Sequence, residues 1–380
     1  MEQSDYRREI DKIDDQIVDL FAQRMAVAKE IAAYKKAHNL PIRDGGRERE
    51  KMRAVTERAP EDMKEYTSLL YSLMFDLSRA YQTRLNGNGT ALTEKIEQAI
   101  ENTPHLFPEG ETVACQGVEG AYSQIACDKL MRRANIMYFS TFDAVFSAIE
   151  KGLCRYGVLP LENSTAGSVN SVYDLMMAHR FSIVRSLRLK VDHNLLARPG
   201  AKLEGIREIY SHQQAISQCQ RFLQTLRGVR VIPCANTAEA AKRVAESGRS
   251  DVAALASRSC MELYGLACLQ ESVQDQDNNY TRFICISKNL EIYPGANRTS
   301  LMAVLPHEPG SLYKLLSRFY ALDVNLNKLE SRPLAGRDFE FMFYFDLDAP
   351  VYDPRFMQLM GELEGVCEKF VYLGSYAEVI

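Results

Sequence analysis

Tyr156-Gly157-Val158-Leu159-Pro160-Leu161-Glu162-Asn163-Ser164-Thr165-Ala166-Gly167-Ser168 is a short apolar run that stops abruptly in polar and small residues. It reads as a buried strand that delivers its end to a place where a ligand can sit. The same grammar recurs on both sides. Short β runs at 113–115, 136–139, 208–210, 229–232, 252–256 and 283–286 alternate with helical stretches. Residues 111–292 therefore read as α/β, one domain or two lobes about a cleft, with ligand groups where strands end and helices begin. Gly117-Val118-Glu119-Gly120-Ala121-Tyr122-Ser123 joins a strand to a helix. Its glycines let the backbone approach an anion, whose charge a helix N-terminus favours.

Upstream, residues 4–85 show no strand pattern. Ile10, Ile13, Ile17, Leu20, Phe21, Val27 and Ile31 recur at helical spacing over a stretch too long for an average helix. Pro41 turns its predecessor away from helix, and Asp44 is an N-cap for a second helix through Glu48 and Met52. A third helix follows Pro60, with Tyr66, Leu69, Leu70, Leu73, Leu77 and Tyr81 on one face. The long first helix leaves apolar surface bare in a single copy, which predicts a homodimer or a higher homo-oligomer. Residues 1–86 form this all-α unit. Asn86-Gly87-Asn88-Gly89 is a flexible joint, and residues 87–110 are a linker with a short amphipathic helix around Leu92, Ile96 and Ile100. Downstream, residues 298–380 give strands near 300–305, 326–330, 339–346 and 369–373, and helices near 311–320 and 355–363. That order, β-α-β-β-α-β, is an α+β ferredoxin-like split unit.

Composition narrows the function. Net charge is −4, 25% of residues are charged and no basic stripe is present, which argues against nucleic acid. The nine cysteines form no CxxC pair and no Cys/His cluster with zinc spacing, so free thiols in a reducing compartment are expected, and no metal. The charged N-terminus lacks a signal core and no apolar run nears ~20 residues, so no membrane association is expected and the cytoplasm is the expected compartment. Ser211-His212 is not a hydrolase signature, because GxSxG is absent. Cys219 is assigned a structural role.

In the helical unit, Arg24 and Lys35 lie eleven residues apart, hence roughly 20° from one face, and Arg7 lies about 100° away from Arg24. One helix cannot aim all three at one ligand; two copies can. Ser78 and Gln82 share a face of the third helix. Arg7-Arg8-Glu9-Ile10-Asp11, Gln23-Arg24-Met25, Lys35 and Pro41-Ile42-Arg43-Asp44-Gly45-Gly46-Arg47-Glu48, with Ser78 and Gln82 near the end, resemble the all-helical chorismate mutases. The resemblance implies an intertwined three-helix dimer. Arg24 and Arg7 of the second copy would hold the substrate carboxylates with Ser78. Lys35 and Gln82 would donate to the breaking ether oxygen. Glu48 and the Asp44 backbone would hold the ring hydroxyl, and Arg47 would orient the carboxylates. The rearrangement is pericyclic, so it asks for positioning and charge stabilisation rather than a nucleophile.

Residues 111–292 resemble prephenate dehydratase, through the glycine turn at 117–123, the Glu162-to-Ser168 run, Ser211-His212 and Asn279-Tyr280-Thr281-Arg282-Phe283. The sequence departs from that family's pattern at Val118 and Gln213, where proline is usual. The resemblance implies a two-lobed domain, with Thr281 at the departing hydroxyl and Asn163, Ser211 and Gln218 positioning the substrate. Either Glu162 or water would supply the proton. No cofactor is implied. Pro309-Gly310-Ser311-Leu312 and Glu330-Ser331-Arg332-Pro333 resemble the ACT domain attached to these dehydratases. That resemblance implies phenylalanine held by Gly310, Ser311, Leu312, Glu330, Ser331, Arg332 and Pro333 across a dimer interface. The whole chain thus reads as an enzyme that makes prephenate from chorismate and phenylpyruvate from prephenate. Two alternatives stand: arogenate as the second substrate, and a catalytically silent small-molecule sensor.

Overall fold

The computed structural model describes residues 3–85, 90–334 and 340–379. The Asn86–Gly89 joint and the expected strand start at Phe339 lie outside the described residues. No described helix is long and apolar enough to cross a membrane.

Helix α1 runs unbroken over Gln3–Ala37, about 50 Å at 1.5 Å per residue. Helix α2 (Gly45–Arg58) packs on α3 (Lys64–Leu85), and α3 lies against α1. Asp44 starts α2 as expected, its carboxylate accepting the Arg47 amide at 3.0 Å. On α1 only Ala28 and Ala32 are buried, while Ile10, Ile13, Ile17, Leu20, Val27 and Ile31 stay exposed.

Helix α4 (Ala91–Asn102) is held at its start by a reciprocal Thr90–Thr93 capping box. Its Ile96 and Ala99 enter the core of the C-terminal module beside Leu301, Leu315 and Phe345. The segment read as a linker is in this part a docked element.

The α/β segment is two lobes. In the first, strands Ser182–Lys190, Tyr280–Ser287, Tyr156–Asn163, Thr112–Gln116 and Asn135–Phe139 lie side by side. The second is a five-stranded sheet in the order Ala267–Gln270, Asn194–Ala197, Val252–Ala256, Glu208–His212, Arg230–Cys234. The chain crosses between lobes twice, at 191–193 and 271–279. The crossings are tied together: Val191 N donates to Asn279 O and Val273 N to His193 O, each at 2.8 Å.

The C-terminal module has the expected β-α-β-β-α-β order, with strands Arg298–Val304, Asn325–Pro333, Phe341–Asp348 and Lys369–Val379. Its last strand does more than close the module. The first part pairs antiparallel with Arg298–Val304, and its end, Ala377–Val379, pairs parallel with Arg185–Leu187 of the first lobe. One sheet therefore runs through both units. Gly374 makes the transition at φ 131°, where a Cβ would overlap the carbonyl oxygen of Ile183. Gly374→Ala is expected to lower stability by about 1–3 kcal/mol. Thermal unfolding checks this; an unchanged transition would show that the close approach is dispensable.

Candidate active sites

The helical unit places the expected mutase residues along two junctions. Arg24 lies against α3, its guanidinium donating to Met74 O at 3.4 Å and standing 5.9 Å from the Phe75 ring. Ser78 follows one turn later. It is buried with Gln82, whose Nε2 donates to Ser78 Oγ at 3.3 Å while its oxygen has no partner among the described residues. Lys35 Nζ donates to Ile42 O at 2.5 Å across the turn into α2. Glu48 is half-buried and paired with Arg79, which also pairs with buried Asp76. Arg47 is exposed and paired with Glu50 at 2.7 Å. Arg7 is also exposed, seventeen residues before Arg24 and so about 26 Å along the helix axis. A single chain does not bring it to the others. Asp76 also offers its backbone oxygen to the Arg318 guanidinium of the C-terminal module at 3.3 Å.

A cavity of about 550 Å³ lies between the two α/β lobes. Among the described residues no Asp, Glu, Lys or Arg lines it. Instead four helices of nine or ten residues begin at its wall: Tyr122–Leu130, Phe142–Glu150, Asn170–His179 and Thr237–Glu246. Each turns the positive end of its dipole to the cleft, although Thr141 and Asn236 cap two of them at Ala144 N and Glu239 N, so the cleft attracts anions without any cationic side chain. The glycine turn at 117–123 supplies the first of these helices, as its sequence implied.

Thr281 and Asn163 meet in the cleft through a ring of hydrogen bonds whose donors can be assigned. Asn163 Oδ1 accepts the backbone amides of Thr165 (3.1 Å) and Ala166 (2.9 Å), which fixes its amide orientation. Its Nδ2 therefore donates to Thr281 Oγ1 at 2.9 Å and to Asn279 Oδ1 at 2.8 Å. Asn279 Nδ2 in turn donates to Gln218 Oε1 at 3.0 Å, Gln218 Nε2 to Thr165 Oγ1 at 2.7 Å, and the Thr165 hydroxyl back to Asn163 Oδ1 at 2.7 Å. Because Thr281 Oγ1 is an acceptor within this ring, its own proton is free for a ligand.

Two expected site residues are elsewhere. Glu162 follows strand alternation onto the other face, where it pairs with Lys328 and, at 3.4 Å, with Arg282. It does not line the cleft. Ser211 is fully buried and donates to Leu255 O at 2.8 Å, tying two strands of the second lobe together. Its neighbour His212 faces the cleft in its place. Burial pushes the Cys219 thiol up to about 12, which agrees with a structural role. The sequence reading missed His193 and Tyr122 as cleft residues, and gave no role to Thr165 or Asn279. No spacing marks His193; the other three stood inside runs already singled out.

In the C-terminal module, Gly310, Ser311 and Leu312 line a hollow of about 430 Å³ with Pro306, Phe341 and Phe343. The Glu330-to-Pro333 strand end faces the dehydratase-like lobe instead. Glu330 accepts from Ser168 Oγ at 2.7 Å, Lys328 donates to Ser168 Oγ at 2.9 Å, and Arg332 pairs with Asp174 at 3.0 Å. Within one chain the two motifs serve different surfaces.

Residues 6–83 match the family model of chorismate mutase type II, and residues 113–291 match that of prephenate dehydratase. A bifunctional chorismate mutase/prephenate dehydratase from Enterobacter agglomerans is 31% identical over 382 residues, covering 97% of this chain and 94% of that protein. The chain belongs to the bifunctional chorismate mutase/prephenate dehydratase family. Its activities are accordingly a chorismate mutase in the helical unit and a prephenate dehydratase in the α/β unit. Beyond the mutase/dehydratase proteins, an arogenate dehydratase/prephenate dehydratase of Arabidopsis thaliana is 37% identical over 281 residues, 70% of this chain and 71% of that protein. The prephenate dehydratase of Arthrobacter aurescens, solved in complex with L-Phe, aligns with TM-score 0.64 and 27% identity over 70% of this chain and 89% of its own.

Proposed function

We propose that the inter-lobe cleft takes prephenate in preference to arogenate, with Thr281 as the hydrogen-bond donor to the departing hydroxyl. The observation that carries this is a cleft with no charged side chain and four helix N-termini. Prephenate brings two carboxylates and a keto group. Arogenate brings an ammonium in place of the keto oxygen, and the cleft offers that cation no carboxylate partner. Asn163 and Gln218 hold the ring of amides; Thr281 keeps its proton and offers it as a hydrogen bond to the hydroxyl as the C–O bond breaks. The carboxylate leaves as carbon dioxide, its bonding pair enters the ring, and the hydroxyl departs as water. A threonine hydroxyl is too weak an acid to donate outright, so the net proton comes from water rather than from Glu162.

In the mutase unit, residues 1–86, Arg24, Ser78 and Arg7 of a second copy grip the two carboxylates of chorismate. Lys35 and Gln82 donate to the ether oxygen. Glu48, held by Arg79, and the Asp44 backbone take the ring hydroxyl, and Arg47 orients the carboxylates. The exposed isoleucine stripe of α1 supports the intertwined dimer that this site needs. Residues 111–292 then form the dehydratase domain. Residues 298–380 form a ferredoxin-like ACT domain that binds phenylalanine at Gly310, Ser311 and Leu312, with Glu330, Ser331, Arg332 and Pro333 contributed across a dimer interface. The L-Phe complex of the related dehydratase supports that effector. Lys328 and Glu330 touch Glu162 and Ser168 directly, so a shift of this strand reaches the cleft wall.

The test feeds purified chain chorismate without added cofactor, with and without phenylalanine, and compares prephenate with arogenate as direct substrates. Phenylpyruvate should form and phenylalanine should suppress it, through a coupling of about 1–3 kcal/mol. Prephenate should exceed arogenate in kcat/KM by about tenfold or more. A preference for arogenate would defeat the charge argument, and turnover indifferent to phenylalanine would defeat the sensor.

A further inference from the structure

We infer that His193 is a positioning residue for the dehydration step, acting through Gln218 on the amide ring that holds Thr281. The inference rests on the assignment of Thr281 as the donor. His193 lies on the first crossing between the lobes, is 2% exposed and lines the cleft. Its backbone is clamped on both sides: the amide donates to Gln274 Oε1 at 2.9 Å, and the carbonyl accepts from Val273 N at 2.8 Å. Gln274 is itself held by Asp192 at 3.0 Å.

The imidazole makes one side-chain hydrogen bond, between Nε2 and Gln218 Oε1 at 3.0 Å. The amide assignments above decide its direction. Asn163 is fixed by two backbone amides, Asn279 is fixed by Asn163, and Gln218 is fixed by Asn279, so the Gln218 atom facing the imidazole is an oxygen. An oxygen acceptor requires the proton on Nε2. Nδ1 is then a bare lone pair, and it is buried with no hydrogen-bond partner among the described residues. Burial also moves the imidazole pKa down, so the ring is neutral and is no acid for the leaving hydroxyl.

A buried neutral imidazole, packed edge-on against the Tyr122 ring and donating into Gln218, sets the rotamer of that amide. Gln218 passes the constraint to Thr165 and Asn279, both bonded to Asn163, and Asn163 orients Thr281. Both ends of the chain of bonds lie in the cleft, while His193 and Asn279 belong to the two separate crossings. The hydrogen bonds of the site therefore also lock the crossings together at the floor of the cleft.

The experiment measures prephenate turnover, chorismate turnover and thermal unfolding for His193→Leu, His193→Gln and Thr281→Val in the full chain, with imidazole ¹⁵N shifts recorded on the wild type. His193→Leu should lower kcat for prephenate about 10- to 100-fold with KM nearly constant, since a small misplacement of a reacting group has that effect. His193→Gln carries an N–H in the place of Nε2–H and should restore most of the rate. Chorismate turnover, from residues remote from His193, should be unchanged, and the wild-type shifts should put the proton on Nε2. Equal losses in the Leu and Gln variants, a change in KM alone, full activity in His193→Leu, or a proton on Nδ1 each overturns the inference. Should Thr281→Val retain full prephenate turnover, the Thr281 assignment falls; should it lose activity while His193→Leu does not, only the His193 inference falls.

Discussion

Thr281→Val is expected to lower prephenate turnover by about 10²- to 10³-fold, the usual consequence of removing one well-placed donor to developing negative charge. Valine keeps the shape of threonine and deletes only the hydroxyl, so the loss isolates the donor. The amide ring should survive. Asn163 Nδ2 loses Thr281 Oγ1 but keeps Asn279 Oδ1 and, at 3.2 Å, the Tyr280 carbonyl. Thermal unfolding should therefore move by about 1 kcal/mol or less. Chorismate turnover on the same chain serves as an internal reference and should not change. The donor role is refuted if prephenate turnover persists, or if both activities fall together.

Arg282→Met is expected to act on stability instead, by about 3–5 kcal/mol. Arg282 stands next to Thr281 but points away from the cleft into the seam with the C-terminal module. It pairs with fully buried Asp346, donates to Tyr376 OH at 2.8 Å, and lies 3.6 Å from Glu378. Methionine fills the volume and leaves the Asp346 carboxylate among Ser300 and Tyr376 hydroxyls, with Arg298 at 3.8 Å as a more distant cation that compensates it poorly. Burial of an unpaired charge is the costly case, more so than loss of the pair. Arg282→Met with Asp346→Leu should therefore recover much of the loss. Denaturant unfolding followed by tyrosine signals from the seam tests this. A double variant no better than the single would mean that the pair itself, not the abandoned charge, sets the effect.

Much of this was legible in the sequence, for identifiable reasons. Helix α1 announced itself because seven apolar residues kept helical spacing, and Asp44 capped α2 as its residue type required. Strand Ser182–Lys190 was not read. Its Arg185 is laid on the Phe107 ring at 4.0 Å and its Arg188 stands 5.5 Å from the Tyr280 ring, so charged residues occupy strand positions in tertiary company that sequence does not display. Glu162 was misplaced because neighbours on a strand face opposite ways: once Asn163 is in the cleft, Glu162 is not. Ser211 and His212 exchanged roles for the same reason. His193 carried no signal, since the crossings that bring it to Gln218 are formed by residues far apart in the chain.

The shared sheet has a consequence for attempts to isolate the dehydratase by shortening the protein. Strand Lys369–Val379 is an interior strand, flanked by Arg298–Val304 on one side and Ser182–Lys190 on the other. Deleting it would not trim an appendage. It would expose the backbone N–H and C=O groups of two neighbouring strands at once, leaving sticky edges of the kind that nucleate intermolecular aggregation. Changing how the C-terminal module acts on the dehydratase is thus a task for substitutions within an intact chain, and that module doubles as the cover without which the catalytic lobe is prone to self-association.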